Sequence, residues 1–216
     1  MRPIICLVSP ARDPDAGLHG WLVRVRAAAR AGVQLVHVRQ PGWDGGPLLA
    51  LTRSTLEAVA GYPTRVIVND RLDVALAAGA HGVHLRGESC PAPRVRADAP
   101  RGFLIGRSVH SAAEAGDVAA QGGLDYLVFG TTFPTRSKPG RAAAGTGTLL
   151  AAASAVPLPI LAIGGITLDR IPEVARSGAA GICAISLFDD DHANATVVEI
   201  GERWARTKRS HLNPEP

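Results

Sequence analysis

The chain has 216 residues, a hydrophobic fraction of 46% and an aromatic fraction of 4%. This length suits one α/β barrel, and such a core must be filled by aliphatic side chains. Three cysteines without metal-ligand spacing exclude a disulfide framework and fit a reducing compartment. The formal net charge of +4 leaves nucleic-acid binding as an alternative. The basic residues are scattered among few aromatic residues, however, which favours a solvated surface and no nucleic-acid partner.

The start of the chain leads directly from Met1 into a strand-like segment. No charged and then apolar leader precedes this segment, and no apolar run approaches the length of a membrane span. We therefore expect a cytoplasmic protein without a membrane partner.

Strand-like and helical runs alternate along the whole chain. The predicted strands are 4–8, 33–39, 65–69, 82–85, 103–106, 126–130, 160–163 and 181–184. The predicted helices are 18–31, 48–60, 72–78, 92–97, 112–121, 146–154, 169–177 and 191–206. Gly32, Gly79 and Gly178 each follow a helical run, which predicts left-handed helix caps.

This alternation predicts a single-domain (β/α)₈ TIM barrel with eight parallel strands. We expect the barrel to span residues 1–207, with residues 208–216 forming a flexible C-terminal tail. A doubly wound open sheet is the competing architecture. The missing G-x-G-x-x-G pattern after the first strand counts against that alternative.

Polar and glycine residues cluster where the predicted strands end, which is where TIM barrels place their active sites. They are His37 and Arg39, Asn69 and Asp70, the run 84–89, Ser108 and His110, the run 130–138, Gly164 and Gly165, and Ile185 and Ser186.

The loops after the last two strands predict a phosphate-binding site at Gly164, Gly165, Ile185 and Ser186. TIM barrels often bind phosphate there, and glycine lets backbone N–H groups approach an anion closely. The alternative for the two glycines is a tight turn alone.

Four motifs carry a resemblance to a known family: VNDRLDVA at 68–75, GVHL at 82–85, FG followed by FPT within 129–135, and AIGGI at 162–166. Together, in this order and at barrel spacing, they resemble the thiamine-phosphate synthase superfamily, which also contains the thiazole tautomerases. The resemblance covers nearly the whole chain.

The two branches of this superfamily imply different chemistry. A synthase joins a pyrimidine pyrophosphate to a thiazole phosphate, with Mg²⁺ held by two aspartates and a Gln-x-Arg-x-Lys clamp on the pyrophosphate. A tautomerase converts a non-aromatic carboxythiazole phosphate into its aromatic isomer by moving a proton, and the resemblance implies no cofactor for it.

The sequence departs from the synthase pattern at the clamp and at the metal. His37 and Pro41 stand where the clamp has Gln and Lys, so that Arg39 alone remains. The second metal-ligand position is Ser89, and Arg86 adds a positive charge nearby, whereas Mg²⁺ prefers carboxylates. Substitution by Glu88 is the alternative. We therefore expect no metal or other cofactor, with Mg²⁺ required only if the protein is a synthase.

The end of the fifth strand, Ser108-Val109-His110-Ser111, resembles the tautomerase branch, in which the histidine is the acid–base residue. Histidine can take up and return a proton near neutral pH. Ser108 lies on the same strand face as His110 and is a candidate substrate-binding residue. The alternatives for His110 are a cap on the following helix or a solvated loop position.

Three more residues are candidates for substrate binding. Arg39 could pair with a substrate carboxylate, or form an ion pair with Asp70. His37 lies on the same strand face as Arg39, and its alternatives are a packed, hydrogen-bonded histidine and a second base. Lys138 matches a family position near the anionic substrate, with a solvated lysine as the alternative. We interpret His84 as structural.

The main functional hypothesis is a thiazole tautomerase of thiamine biosynthesis, an isomerase that acts on a small phosphate ester of the thiazole phosphate type. The first alternative is a thiamine-phosphate synthase with an altered clamp. The second is a non-catalytic regulatory barrel that binds a phosphate ligand. A homodimer is the candidate assembly.

Overall fold

The computed structural model describes residues 2–11, 18–135, 140, 142–188 and 192–212. The strands are β1 (Ile4–Val8), β2 (Leu35–Val38), β3 (Arg65–Asn69), β4 (Gly82–Leu85), β5 (Leu104–Val109), β6 (Tyr126–Gly130), β7 (Ile160–Ile163) and β8 (Gly181–Ala184). The helices are α1 (His19–Arg30), α2 (Gly45–Ala58), α3 (Leu72–Ala78), α4 (Ala92–Asp98), α5 (Ala112–Ala120), α6 (Gly145–Ala155), α7 (Ile171–Arg176) and α8 (Ala193–Leu212). Short 3₁₀ turns cover Leu168–Arg170 and Ser186–Phe188.

The strands form one closed barrel in chain order. Each strand is parallel to the next, and β8 closes the ring by pairing with β1, with Cys6 opposite Cys183. The predicted (β/α)₈ barrel is therefore confirmed, and the open sheet is wrong.

Two apolar layers hold the barrel together. Strand side chains that alternate in direction pack outward under the helices or inward along the barrel axis. The outer layer includes Trp21, Leu51, Phe129, Leu149 and Trp204. The inner layer consists of Cys6, Val8, Leu35, Ile67, Tyr126, Val128, Leu161 and Cys183. Aliphatic residues dominate both layers, as the composition predicts.

The glycine caps lie where the sequence predicts them. Gly32, Gly79 and Gly178 have φ angles of 91°, 73° and 80°, in the left-handed region. Each ends a helix and turns the chain toward the next strand, a conformation that other residues adopt only at a cost in free energy.

Several boundaries differ from the prediction, among them both ends of β2 and α2 and the carboxyl-terminal ends of β5 and α8. Strand β5 continues past residue 106 to Val109, because Gly106 pairs with both neighbouring strands rather than ending its own. Helix α8 continues past residue 207 to Leu212, and residues 213–216 lie outside the described residues. Of the helices in the described part, none combines the length and apolar character needed to cross a bilayer.

Candidate active site

The predicted site residues that the structure describes lie at the carboxyl end of the barrel. His37 is in β2 and Ser108 in β5, Arg39 and His110 follow those strands, and the glycine pair and Ile185–Ser186 follow β7 and β8. Lys138 lies outside the described residues. Since β7 and β8 are neighbours in the barrel, the two predicted phosphate loops emerge side by side.

His110 is held at both its backbone and its ring. Its backbone N–H donates to Glu114 Oε2 at 2.7 Å, and its ring Nδ1 hydrogen-bonds the backbone carbonyl oxygen of Gly130. A carbonyl oxygen only accepts, so Nδ1 carries the hydrogen and Nε2 of the neutral ring keeps its lone pair. The cap of α5 is Ser111, whose Oγ accepts from Glu114 N at 3.1 Å. His110 is thus not the cap, and its ring is arranged to accept a proton at Nε2.

Two buried histidines form the floor beneath the site. The rings of His37 and His84 lie 4.9 Å apart. Burial lowers the pKa of His84 to about 3, with the positive charges of Arg107 and Arg39 adding to the effect. Burial also lowers the pKa of His37 well below its ordinary value. Both rings are therefore neutral at pH 7.

Hydrogen bonding distinguishes the two histidines. His84 Nε2 lies 2.9 Å from Ser108 Oγ, and its Nδ1 lies 3.2 Å from the Tyr126 hydroxyl. Nε2 of His37 is buried without a hydrogen-bond partner in the described part of the chain. Asn69 hydrogen-bonds the His37 side chain, so that His37 is partly satisfied. A polar ligand atom would remove the cost of burying Nε2.

Asp70 is bound by the loop that follows β4. Its Oδ2 forms an ion pair with Arg86 Nε at 2.6 Å, and its Oδ1 accepts a short hydrogen bond from Ser89 Oγ. Its φ angle of 61° lies in the left-handed region, where aspartate is better tolerated than most residues. Arg86, rather than Arg39, is thus the described ion-pair partner of Asp70.

The Arg39 guanidinium is half-buried near the other positive charges of the site. Its pKa is lowered by burial and by the charge of Arg86. Its backbone is fixed by Ser9, whose Oγ accepts from Arg39 N at 2.8 Å. Across the described ranges no carboxylate forms an ion pair with Arg39. A substrate anion would offset both unfavourable effects.

Arg107 fixes the loop after β4 from outside the barrel. Its guanidinium is buried and donates to the carbonyl oxygens of Gly87 at 2.9 Å, Ser89 at 3.2 Å and Cys90 at 2.6 Å. Three carbonyl acceptors on one planar donor group define the path of this loop. Arg107 therefore determines where Arg86 and Ser89 stand relative to Asp70.

The glycine pair after β7 packs tightly against the loop after β6. Gly164 and Gly165 have φ angles of 101° and 62°. A Cβ on Gly164 would lie 2.7 Å from Thr131 Cγ2, and one on Gly165 would lie 2.5 Å from the Pro134 carbonyl oxygen. Packing and backbone conformation thus both require glycine here, which supports the turn interpretation.

Comparison with known proteins gives the family of this barrel. Residues 5–188 match the family described as thiamine monophosphate synthase. The chain belongs to the thiamine monophosphate synthase family.

The alignments with named relatives cover most of the chain. The thiamine-phosphate synthase of Methanoculleus marisnigri is 43% identical over 188 residues, which cover 85% of this chain and 87% of that protein. A putative thiamine-phosphate synthase of Geobacter sulfurreducens is 38% identical over 178 residues, covering 82% and 83%. The thiamine phosphate pyrophosphorylase of Pyrococcus furiosus has a similar structure, with a TM-score of 0.77, 27% identity and coverage of 94% and 96%.

The residues of this chain do not fit the magnesium site that the synthase branch implies. Both carboxylate oxygens of Asp70 are engaged by Arg86 and Ser89, and the position of the second aspartate is Ser89 itself. Glu88 is exposed and has no ion pair with the described residues. Within the described ranges, no group of three His, Cys, Asp or Glu side chains could hold a metal ion.

Two residues of this site were missed by the sequence analysis. Tyr126 lies at the start of β6, where an aromatic residue looks like ordinary core. Arg107 alternates with Ser108 along β5 and looks like a solvated charge, although it is only 6% exposed. A useful signal for Tyr126 was Gly106, since an isolated glycine within a strand often marks close approach of another group.

Proposed function

We propose that this member of the thiamine monophosphate synthase family is a thiazole tautomerase. Its substrate would be a carboxythiazole phosphate, which it converts into the aromatic isomer without a metal ion. The observation that carries this choice within the family is the Asp70 carboxylate, whose two oxygens are bound to Arg86 and Ser89. A carboxylate in an ion pair with a guanidinium is a poor ligand for Mg²⁺.

The proton transfer is assigned to His110. Its Nε2 lone pair removes a proton from one ring carbon of the substrate, which leaves a delocalised carbanion and an imidazolium. The hydrogen bond from Nδ1 to the Gly130 carbonyl oxygen becomes charge-assisted and stabilises the imidazolium. Nε2 then returns the proton to a different ring atom, and the ring becomes aromatic. No proton or electron is gained or lost overall.

Other groups would hold the substrate during this step. The half-buried Arg39 suits the substrate carboxylate, and the unsatisfied Nε2 of His37 suits a further polar atom. The backbone of Gly164 and Gly165, with Ile185 and Ser186 on the next loop, suits the phosphate. In this proposal the phosphate is held by groups other than the base, so that binding and proton transfer can be tested separately.

A synthase is the second candidate, and the names of the relatives favour it. The Methanoculleus marisnigri protein, 43% identical, is named thiamine-phosphate synthase. For this activity the chain would have to bind Mg²⁺ and pyrophosphate with a different set of residues from the family pattern.

One experiment compares the two activities in the same preparation. The purified protein is given the carboxythiazole phosphate tautomer, and separately thiazole phosphate with pyrimidine pyrophosphate, each with Mg²⁺ and with chelator. The proposal predicts isomerisation that chelator does not affect and little or no thiamine phosphate. Formation of thiamine phosphate on the order of 1 s⁻¹ with Mg²⁺ would favour the synthase. Binding without either reaction would favour the regulatory barrel.

A further inference from the structure

Three residues stand in register across neighbouring strands inside the barrel. His84 of β4 pairs with Gly106 of β5, and Gly106 pairs with Tyr126 of β6. A Cβ on Gly106 would lie 2.1 Å from Tyr126 Cζ, so the tyrosine ring lies directly over the glycine. The missing side chain lets the Tyr126 ring cross β5, and its hydroxyl reaches His84 Nδ1 at 3.2 Å.

The other ring nitrogen of His84 leads to the site. Its Nε2 lies 2.9 Å from Ser108 Oγ. Tyr126 and His84 are buried, whereas Ser108 is partly exposed at the end of β5, two residues before His110. Tyr126, His84 and Ser108 thus form a hydrogen-bond chain from the barrel interior to the surface of the site.

The buried tyrosine fixes the direction of this chain. Burial raises the pKa of Tyr126 and lowers that of His84 to about 3, so that the phenol keeps its hydrogen and the imidazole carries one. In the described residues the hydrogen-bond partner of the Tyr126 hydroxyl is His84 Nδ1. If Nδ1 carried the hydrogen, the buried phenol O–H would lack an acceptor, which is unfavourable.

It follows that Tyr126 donates to Nδ1 and that the His84 hydrogen is on Nε2, which donates to Ser108 Oγ. The hydroxyl hydrogen of Ser108 is then directed away from His84. We propose that Tyr126 and His84 are positioning residues that make Ser108 a hydrogen-bond donor to an acceptor atom of the substrate's thiazole ring, which thiazole phosphate shares. The identity of that ligand rests on the proposed function, whereas the direction of the chain does not.

The direction can be measured without a ligand by ¹⁵N NMR of the histidine side chains. The proposal predicts the Nε2–H tautomer for His84 in the wild-type protein. Tyr126→Phe removes only the hydroxyl and should move His84 toward the Nδ1–H tautomer. Tyr62→Phe, at a tyrosine that is 36% exposed, is the matched control and should leave His84 unchanged. An Nδ1–H tautomer in the wild type, or an unchanged tautomer in Tyr126→Phe, would overturn the proposal.

The consequence for the ligand can be measured by calorimetric titration with thiazole phosphate. Ser108→Ala and Tyr126→Phe should each weaken binding about fivefold, the usual worth of one hydrogen bond. Adding Tyr126→Phe to Ser108→Ala should cause no further loss, because the tyrosine acts only through the serine. Independent losses in the double variant, or full affinity in Tyr126→Phe, would contradict this. If the wild type does not bind thiazole phosphate, the proposed function fails and the NMR result still decides the direction.

Discussion

Nδ1 of His110 donates a hydrogen bond to the backbone carbonyl oxygen of Gly130, the last residue of β6. This contact orients the ring and fixes its tautomer, because the carbonyl oxygen can only accept. It also couples the histidine after β5 to the loop after β6, whose Thr132 N–H donates to the Ile163 carbonyl oxygen at 2.9 Å. His110 and the glycine turn after β7 are thereby parts of one hydrogen-bonded framework.

Replacement of His110 tests the assigned base. His110→Ala should lower the rate of isomerisation by about 10²–10⁴, the usual contribution of a placed acid–base group. His110→Gln should be equally slow, because an amide can donate and accept hydrogen bonds but cannot carry a proton between two atoms. Affinity for thiazole phosphate, measured by calorimetry, should change little in both variants.

The matched control is His81→Gln, at the opposite end of the barrel, where His81 Nδ1 accepts from Val66 N at 3.0 Å. This variant should isomerise the substrate at the wild-type rate. If both His110 variants also turn over at the wild-type rate, His110 is a loop residue and the tautomerase proposal loses its base.

Restoring the synthase pattern in the loop after β4 tests the interpretation of Asp70. The double variant Arg86→Gly with Ser89→Asp frees the Asp70 carboxylate and adds a second one beside it. Mg²⁺ should then give a binding signal in calorimetry, whereas the wild type should give none. Glu88→Gln in the wild-type background should have no effect. Binding of Mg²⁺ to the wild type that Glu88→Gln abolishes would mean that Glu88 replaces the missing ligand.

The sequence predicted the barrel well because the barrel depends on repeated local patterns. The bounds of β1, β3, β4, β6, β7 and β8 agree with the predicted strands, since apolar runs and glycine caps mark them directly. The positions at the strand ends followed from one rule of the fold. The hydrogen-bond and ion-pair partners of these residues could not be predicted in this way. Arg86 binds Asp70 and Tyr126 binds His84 although they are far apart in the sequence, and no local pattern indicates such pairs.

Glycine substitutions test the predicted phosphate loops. Ser186→Ala should weaken binding of a phosphate ester by about 1 kcal/mol, since at most one side-chain hydrogen bond is lost. Gly165→Ala should weaken it more, because its Cβ would meet the Pro134 carbonyl oxygen at 2.5 Å and displace the loop. Gly178→Ala is the control: its φ of 80° imposes a similar backbone penalty, but its Cβ would lie 3.5 Å from Ala153 Cβ, an ordinary contact. Equal affinities for Gly165→Ala and Gly178→Ala, by calorimetric titration, would argue against phosphate binding here.

Removal of Arg107 tests its role in fixing the loop after β4. Arg107→Leu keeps an apolar stem but leaves the carbonyl oxygens of Gly87, Ser89 and Cys90 without their donor. We expect the free energy of unfolding to fall by about 2–4 kcal/mol, because hydrogen bonds from a charged group are stronger than neutral ones. The stability of Arg107→Lys should lie between those of the wild type and Arg107→Leu, since one ammonium group cannot reproduce the hydrogen bonds of the planar guanidinium. Urea unfolding measures this, with the exposed Arg101→Leu as control. A loss in Arg107→Leu no larger than in Arg101→Leu would mean that Arg107 does not fix this loop.

Acid should destabilise the protein through its buried histidines. His84 has a pKa of about 3 in the folded protein and an ordinary value of 6.5 when unfolded. Between these values the unfolded chain binds a proton that the folded protein does not, so the stability from this group is fully present above pH 6.5 and falls as pH decreases toward 3. The slope is about 1.4 kcal/mol per pH unit for one group. His37, whose pKa is also lowered by burial, acts in the same direction.

The measurement is urea unfolding at several pH values between 7 and 4.5 for the wild type and His84→Gln. Glutamine does not titrate, so the variant should lose less stability than the wild type on acidification, whatever its stability at pH 7. His19→Gln, at an exposed histidine that begins α1, should follow the wild-type curve. Wild type and His84→Gln that lose stability in parallel would mean that the pKa of His84 in the folded protein is close to its ordinary value, which would contradict the lowered pKa.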